Sequence, residues 1–181
     1  MYAAEFDYVR ASSIEEAISL KRANEDSSLL AGGHSLIPAM KLRLSTPQKL
    51  IDISGLDQLK NISNNGSYIS IGALCTHKQC AESDIIQSNC PALSDAASVI
   101  GDPHVRNKGT LGGALAHSDP QADYPGVVLA LNATIIVEGS GGERTIEAVD
   151  YFTGLWETAL GENEILTEVR IPTDSANANS C

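Results

Sequence analysis

Two glycine pairs, each close to a hydroxyl residue, constrain this chain more than any other feature. In the first segment, AGGHS (Ala31–Ser35), the pair ends an apolar run typical of a strand, and Ser35 follows it. In the second, TLGG (Thr110–Gly113), the pair lies in a long polar stretch. Glycine accepts positive φ and has no Cβ, so consecutive amides can form a concave nest that binds anionic oxygens. Two such segments suggest a diphosphate held from two sides.

The residues near the glycine pairs leave several interpretations open. Neither segment matches GxGxxG or GxxxxGK[ST], which disfavours Rossmann and P-loop folds. On its own, the first pair also fits a simple tight turn. Asp119 and Asp123 follow the second pair, and a carboxylate in that position can accept hydrogen bonds from a ribose diol.

Composition and charge restrict the classes of protein and partner. The chain has 181 residues, of which 43% are hydrophobic and 19% charged, as in an ordinary globular protein. A net charge of −11 disfavours nucleic acid as a partner, so any bound anion must be held by local geometry. No apolar run approaches the length of a membrane span, and no N-terminal signal is recognisable, so we expect no membrane insertion and a cytoplasmic location. The four cysteines lack CxxC spacing and are interpreted as buried or otherwise unremarkable thiols.

Hydrophobic patterns predict two α+β subdomains. Residues 1–55 form the first: SIEEAISLKRANED, from Ser13, is typical of a capped helix, and SSLLAGG and QKLIDISGL are typical of strands. Residues 56–173 form the second, and residues 174–181 are predicted to be a disordered tail. In the second subdomain the patterns predict a strand in SYISIGAL, a helix in THKQCAESDIIQ, a helix between Pro91 and Gly101, a hairpin around Gly139–Gly142 and a strand in EILTEVRIP. Residues 102–126 are predicted to be a long functional loop.

The segments AGGHSLIP and VRNKGTLGGALAHSDPQADYP together resemble the FAD-binding medium subunit of the molybdenum hydroxylases. The similarity is strongest to aerobic carbon monoxide dehydrogenase and xanthine dehydrogenase-like enzymes. It implies an α+β, PCMH/VAO-type (p-cresol methylhydroxylase/vanillyl-alcohol oxidase) FAD-binding domain made of two α+β subdomains. The C-terminal domain of the family is expected to be missing from this chain.

The resemblance also implies which residues surround FAD, bound noncovalently. The first segment would wrap the diphosphate with its backbone amides, and the second would approach the diphosphate and flavin from the other lobe. Asp123 would supply a carboxylate on the cofactor side. The implied cofactor-binding residues are Ala31, Gly32, Gly33, His34, Ser35, Leu36, Ile37, Ile100, Thr110, Leu111, Gly112, Gly113, Ala114, Asp123 and Leu166. No side chain is implied as a general acid or base.

In the family that the chain resembles, electrons pass from a molybdopterin centre through two [2Fe-2S] clusters to FAD and then to an external acceptor. The implied partners are a small [2Fe-2S] subunit and a large molybdopterin subunit, in a heterotrimer or its dimer. This division of labour agrees with the absence of cluster-ligating cysteine patterns.

The sequence leaves two alternative functions open. His104, His117, Asp119 and Asp123 suggest a metal-dependent hydrolase that uses residues 104–123, although their spacing matches no common metal motif. The other alternative is a cofactor-free interaction fragment.

Five further side chains have both a functional and a structural interpretation. His34 could contact or covalently link a flavin, but a role in ordering the loop is favoured. Arg106 and Lys108 could neutralise a diphosphate or be solvated. Trp156, with Tyr151, is expected in a core or a subunit interface rather than against a flavin.

Overall fold

The computed structural model describes residues 2–173, which form a small parallel sheet and a larger antiparallel sheet, with helices around them. The strands are β1 (Asp7–Arg10), β2 (Ser27–Leu30), β3 (Lys49–Asp52), β4 (Ile62–Asn64), β5 (Tyr68–Gly72), β6 (Thr134–Gly139), β7 (Gly142–Glu147), β8 (Phe152–Gly154), β9 (Glu157–Thr158) and β10 (Ile165–Pro172). The helices are α1 (Ile14–Ala23), α2 (Leu36–Lys41), α3 (His77–Glu82), α4 (Asp84–Asn89), α5 (Pro91–Val99), α6 (Pro103–Arg106), α7 (Leu111–His117), α8 (Asp123–Ala130) and α9 (Ala148–Tyr151), and a 3₁₀ turn spans Asp57–Lys60.

The parallel sheet has the strand order β1-β3-β2, so β2 is an edge strand. Helix α1 connects β1 to β2 and buries Ala17 and Ile18. Its start was predicted correctly, because the Ser13 hydroxyl accepts a hydrogen bond from the amide of Glu16. The first glycine segment leaves β2 at the edge of this sheet and leads directly into α2.

The antiparallel sheet has the order β4-β5-β10-β6-β7, with β10 at its centre. The predicted hairpin is confirmed, since β6 and β7 pair as far as Gly139 and Gly142. The predicted strand in EILTEVRIP is β10, which has an irregular register between Leu166 and Glu168. Behind this sheet, α3, α5, α7 and α8 bury the residues of the larger hydrophobic cluster.

Two sequence predictions in this half of the chain were wrong. THKQCAESDIIQ forms two helices, since Ser83 is extended and its hydroxyl caps α4 at Ile86. Residues 102–126 are not a long loop, because α6, α7 and the first turn of α8 lie within them. The side chains of Asp102 and Thr110 cap α6 and α7, and tertiary packing offsets the low helix propensity of the glycine pair.

A second hydrophobic cluster lies between α1 and the parallel sheet and extends to Leu74 and Ile165, which belong to the region of the other sheet. The subdomain boundary after residue 55 therefore stays a prediction, and the predicted tail at 174–181 lies outside the described residues.

Cys75, Cys80 and Cys90 are buried, as expected for structural thiols. Burial raises the pKa of Cys75 to about 11 and that of Cys80 to about 12. Among residues 2–173, no helix has the length and apolar character needed to cross a bilayer.

Candidate functional site

The two glycine segments contact each other. Gly32 lies so close to the second segment that a Cβ placed on it would overlap the carbonyl oxygen of Lys108 and lie 2.9 Å from the Cα of Gly109. A Cβ on Gly113 would lie 3.9 Å from the Cβ of Ala31. Segments that are far apart in the sequence thus meet backbone to backbone, and only glycine fits at position 32.

The first segment presents a run of amides without protein partners. Within residues 2–173, the N–H groups of residues 32–36 have no hydrogen-bond acceptor. The next amide, that of Ile37, donates to the carbonyl of Gly33 at 3.1 Å. Gly33 has φ +72°, the left-handed conformation that turns neighbouring amides toward one side. The hydroxyl of Ser35 does not cap α2. This arrangement fits an anionic group that accepts several hydrogen bonds.

The ring of His34 helps to order the first segment. Its Nδ1 lies 2.9 Å from the carbonyl oxygen of Gly32, and the side chain is exposed. This contact agrees with the loop-ordering interpretation of His34.

The amides of the second segment are already bound to protein acceptors. Leu111 donates to the carbonyl of Cys75 and Gly112 to that of Ala73, both at 2.9 Å. Gly113 donates to the Thr110 hydroxyl at 3.1 Å. A Cβ on Gly112 would lie 2.5 Å from the Cβ of Ala73, so this glycine permits close packing of α7 on the chain that follows β5. The second segment is therefore not a nest, because its amides are not free to donate. Its packed backbone forms a wall beside the first segment, and this wall is the backbone of residues 108–113.

His77, which was not predicted from the sequence as a site residue, contacts the second segment at Gly109. Its amide donates to the carbonyl of Gly109 at 3.0 Å, and a Cβ on Gly109 would overlap Nε2 of the His77 ring. The ring Nδ1 lies 3.2 Å from the hydroxyl oxygen of Tyr124, and only 5% of His77 is exposed. Burial lowers the pKa of His77 to about 4, with a smaller effect of His34 in the same direction. The imidazole is therefore neutral at pH 7.

Asp123 is the first residue of α8 and is exposed, whereas its neighbour Tyr124 is fully buried. The carboxylate of Asp123 has no hydrogen-bond or ion-pair partner among residues 2–173, and its negative charge acts on the pKa of His77. Asp119 accepts a hydrogen bond from the amide of Gln121 at 2.9 Å and so orders the turn before α8. Of the two predicted carboxylates, Asp123 is the one left free to accept a ligand.

The remaining predicted contact residues lie deeper in the fold or beside it. Leu166, 5% exposed, pairs with Val137 in the antiparallel sheet and belongs to the larger cluster. Ile100 is partly buried at the end of α5, and its carbonyl accepts a hydrogen bond from Arg106 Nη1 at 3.0 Å. The same nitrogen lies 3.0 Å from the carbonyl oxygen of Gly101. The Arg106 guanidinium therefore binds backbone carbonyls at the end of α5. Cofactor contacts of Leu166 and Ile100 stay predictions.

The side chains suggested for a metal site do not form one. Within residues 2–173, no group of three or more His, Cys, Asp or Glu side chains is arranged to coordinate a metal ion. His117 packs edge-on against Trp156, with ring centroids 4.8 Å apart, and Trp156 is 49% exposed. Tyr151 is fully buried, which confirms its predicted place in a core.

Comparison with known proteins identifies the family. Residues 4–174 match the family described as FAD binding domain in molybdopterin dehydrogenase. The chain is 43% identical over 168 residues to the carbon monoxide dehydrogenase medium chain of Hydrogenophaga pseudoflava, which covers 92% of this chain and 58% of that one. It is 41% identical over 172 residues to the glyceraldehyde dehydrogenase medium chain of Sulfolobus acidocaldarius, which covers 95% of this chain and 61% of that one.

Solved structures agree in fold. Carbon monoxide dehydrogenase from Hydrogenophaga pseudoflava superimposes with a TM-score of 0.95 at 42% identity, over 97% of this chain and 62% of that one. Quinoline 2-oxidoreductase from Pseudomonas putida 86 superimposes with a TM-score of 0.94 at 33% identity, over 97% of this chain and 61% of that one. The chain thus spans about three fifths of the length of these relatives. The fold class and the resemblance expected from the glycine segments are confirmed: the chain belongs to the family of FAD-binding domains of molybdopterin dehydrogenases.

Proposed function

We propose that this chain holds FAD noncovalently where its two glycine segments meet. The observation that carries the proposal is the run of amides at residues 32–36 that have no acceptor within residues 2–173, next to the backbone of residues 108–113. A diphosphate presents several anionic oxygens and can accept hydrogen bonds from such a run. Because the chain as a whole carries a net charge of −11, oriented amides are a physically reasonable way to hold that anion.

Each predicted contact residue then has a defined part. The amides of residues 32–36 and the hydroxyl of Ser35 bind the diphosphate, with Ala31 and Ile37 beside them. The second segment, residues 110–114, forms the opposite wall. Asp123 accepts from a hydroxyl of the cofactor, and Ile100 and Leu166 lie on the flavin side.

We further propose that the chain is part of the electron-transfer subunit of a molybdenum hydroxylase. When bound, FAD supplies the redox chemistry, receiving electrons from [2Fe-2S] clusters on a partner subunit and passing them to an external acceptor. The protein positions the cofactor and shields it from water, and no described side chain is assigned as a general acid or base. Relatives named as medium chains or subunits of dehydrogenases and of a nicotine 6-hydroxylase support this role. The partners would be a small [2Fe-2S] subunit and a large molybdopterin subunit, in a heterotrimer or its dimer.

Flavin binding to the full 181-residue chain tests the site. We expect purified protein to retain FAD through desalting and to release free FAD on heating, which shows noncovalent attachment. FMN and riboflavin lack the diphosphate and should bind at least tenfold more weakly, while ADP should compete with FAD. Equal affinity for FAD and riboflavin would contradict the diphosphate assignment. Colourless protein that binds no FAD would favour the cofactor-free alternative.

Electron transfer is tested separately in the assembled enzyme. With the two partner subunits present, reduction of the [2Fe-2S] clusters should be followed by bleaching of the FAD absorbance in the same complex. FAD that stays oxidised beside reduced clusters would contradict this role without affecting the binding proposal.

A further inference from the structure

A buried histidine packs against the second glycine segment at the same peptide that the first segment contacts. Gly32 packs on the backbone of Lys108 and Gly109, and the ring of His77 also packs on Gly109. The peptide of residues 108–109 is therefore contacted by two elements. A shift of the His77 ring would therefore act on the same peptide that Gly32 contacts.

The position of His77 is fixed at its backbone and at its ring. Its backbone begins α3, whose capping box joins Thr76 and Gln79, and its amide donates to Gly109. Its ring Nδ1 is within hydrogen-bond distance of the Tyr124 hydroxyl, and the two ring centroids are 5.3 Å apart at 58°.

Tyr124 extends this support to α8. It is fully buried and directly follows Asp123 at the start of that helix. The Tyr124 hydroxyl therefore couples the start of α8 to the wall of the proposed site through a single imidazole.

We propose that His77 is a positioning residue for the FAD site: its imidazole, held by Tyr124, fixes the backbone at Gly109 and so sets the gap between the two glycine segments. His77 acts through the protein backbone and does not touch the cofactor. The effect on FAD rests on the proposed function, whereas the effect on the segments can be measured without FAD.

Deleting one oxygen atom tests this role. Tyr124→Phe removes the partner of Nδ1 and keeps the aromatic packing, and His77→Gln removes the ring. In the FAD-free 181-residue chain, we expect either variant to speed hydrogen-deuterium exchange of peptides covering residues 105–113 and 30–36 by about fivefold, as for the loss of one hydrogen bond. Exchange in β10 should stay unchanged. FAD affinity should fall by a similar factor. Tyr124→Phe also removes the hydrogen bond between its hydroxyl and the Cys80 thiol. His77→Gln should therefore have a smaller effect in the Tyr124→Phe background than in the unmodified chain, because the contact between His77 and Tyr124 is then already lost.

Tyr151→Phe is the matched control, since it deletes the same oxygen from another fully buried tyrosine of the same core. It should leave exchange at residues 105–113 and FAD affinity at the values of the unmodified chain. Unchanged exchange of both segments in Tyr124→Phe and His77→Gln would overturn the inference, as would acceleration spread equally over β10, which indicates general destabilisation. An unmodified chain that binds no FAD would overturn the proposed function, and the exchange data would still decide whether His77 positions the segments.

Discussion

The two glycine segments both combine a glycine pair with a hydroxyl residue, but their amides differ in hydrogen bonding. In the first, the amides of residues 32–36 have no acceptor within residues 2–173, whereas in the second those of residues 111–114 all donate to protein oxygens. The first segment leaves β2, which pairs with β3 alone among the described strands, and the acceptors of β3 do not reach the N–H groups of residues 32–36. The second lies against the chain that follows β5, and Thr110 forms a β-bridge with Thr76 there. A glycine pair thus provides free donors in one environment and close packing in the other.

This difference predicts that glycine substitutions in the two segments damage different properties. A side chain in the first segment should impair ligand binding more than folding. A side chain in the second should impair folding first, since its glycines are part of the core packing. The following changes test this division, from the largest expected effect to the smallest.

Gly112→Ala should destabilise the fold. The added Cβ would lie 2.5 Å from the Cβ of Ala73 and 2.9 Å from its backbone, in a buried region that cannot yield without moving α7. We expect the free energy of unfolding to fall by about 3 kcal/mol, as for severe overpacking. Urea denaturation measures it. Gly141→Ala is the control: an added Cβ there meets no atom of the described residues within 4 Å, so the free energy of unfolding should change by less than about 0.5 kcal/mol. A Gly112→Ala protein of normal stability that has lost FAD would contradict the structural role of this glycine.

Gly33→Val should abolish FAD retention and leave a folded protein. Gly33 has φ +72°, and a β-branched residue resists that conformation, at a cost of about 1.5 kcal/mol in stability. An added Cβ would also lie 2.8 Å from Cδ1 of Ile37, a side-chain end that can move. The amides of the first segment are therefore displaced mainly because valine disfavours the left-handed backbone at this position. Flavin absorbance after desalting, with circular dichroism to verify folding, is the measurement. A variant that still retains FAD would show that the first segment does not bind the diphosphate.

Acid should weaken the second segment through His77. Burial lowers the pKa of His77 from 6.5 to about 4, while Asp123 acts in the opposite direction and His34 in the same one. Between these values the unfolded chain binds a proton that the folded chain does not, so stability falls as the pH drops through this window and levels off below it. From pH 6.5 to 5.5 this group contributes a loss of about 1 kcal/mol. Urea denaturation of the unmodified chain and of His77→Gln at several pH values isolates the contribution of His77 to the free energy of unfolding. If the two proteins lose stability in parallel as the pH falls, His77 does not contribute to the acid sensitivity.

The elements that were predictable from the sequence depend on local signals. Ser13 caps α1 through its own neighbours, and the hairpin at Gly139–Gly142 follows from alternation and a glycine turn. Helix α7 was missed because its glycine pair has low helix propensity, and contacts with Ala73 and Cys75 outweigh that propensity.

The site was predictable only in outline. The glycine pairs and the position of Asp123 are visible in the sequence, but the acceptor of each amide is set by strands that are distant in the chain. The pair of His77 and Tyr124 joins α3 to α8 and leaves no local pattern, because a buried histidine has the same sequence neighbours as an exposed one. The different parts played by the two glycine segments therefore required the fold.

Asp123→Ala should produce the smallest change, confined to affinity. The carboxylate is exposed and has no hydrogen-bond partner within residues 2–173, so its removal leaves no buried group unsatisfied. Stability should change by less than about 0.5 kcal/mol, while loss of one hydrogen bond to a charged group should weaken FAD binding by about tenfold. Isothermal titration with FAD measures this, and Asp119→Ala is the matched control, since that carboxylate already orders its own turn. If the two variants bind FAD equally well, Asp123 is not part of the site, and the proposed contacts reduce to the backbone of the first segment and the wall formed by the second.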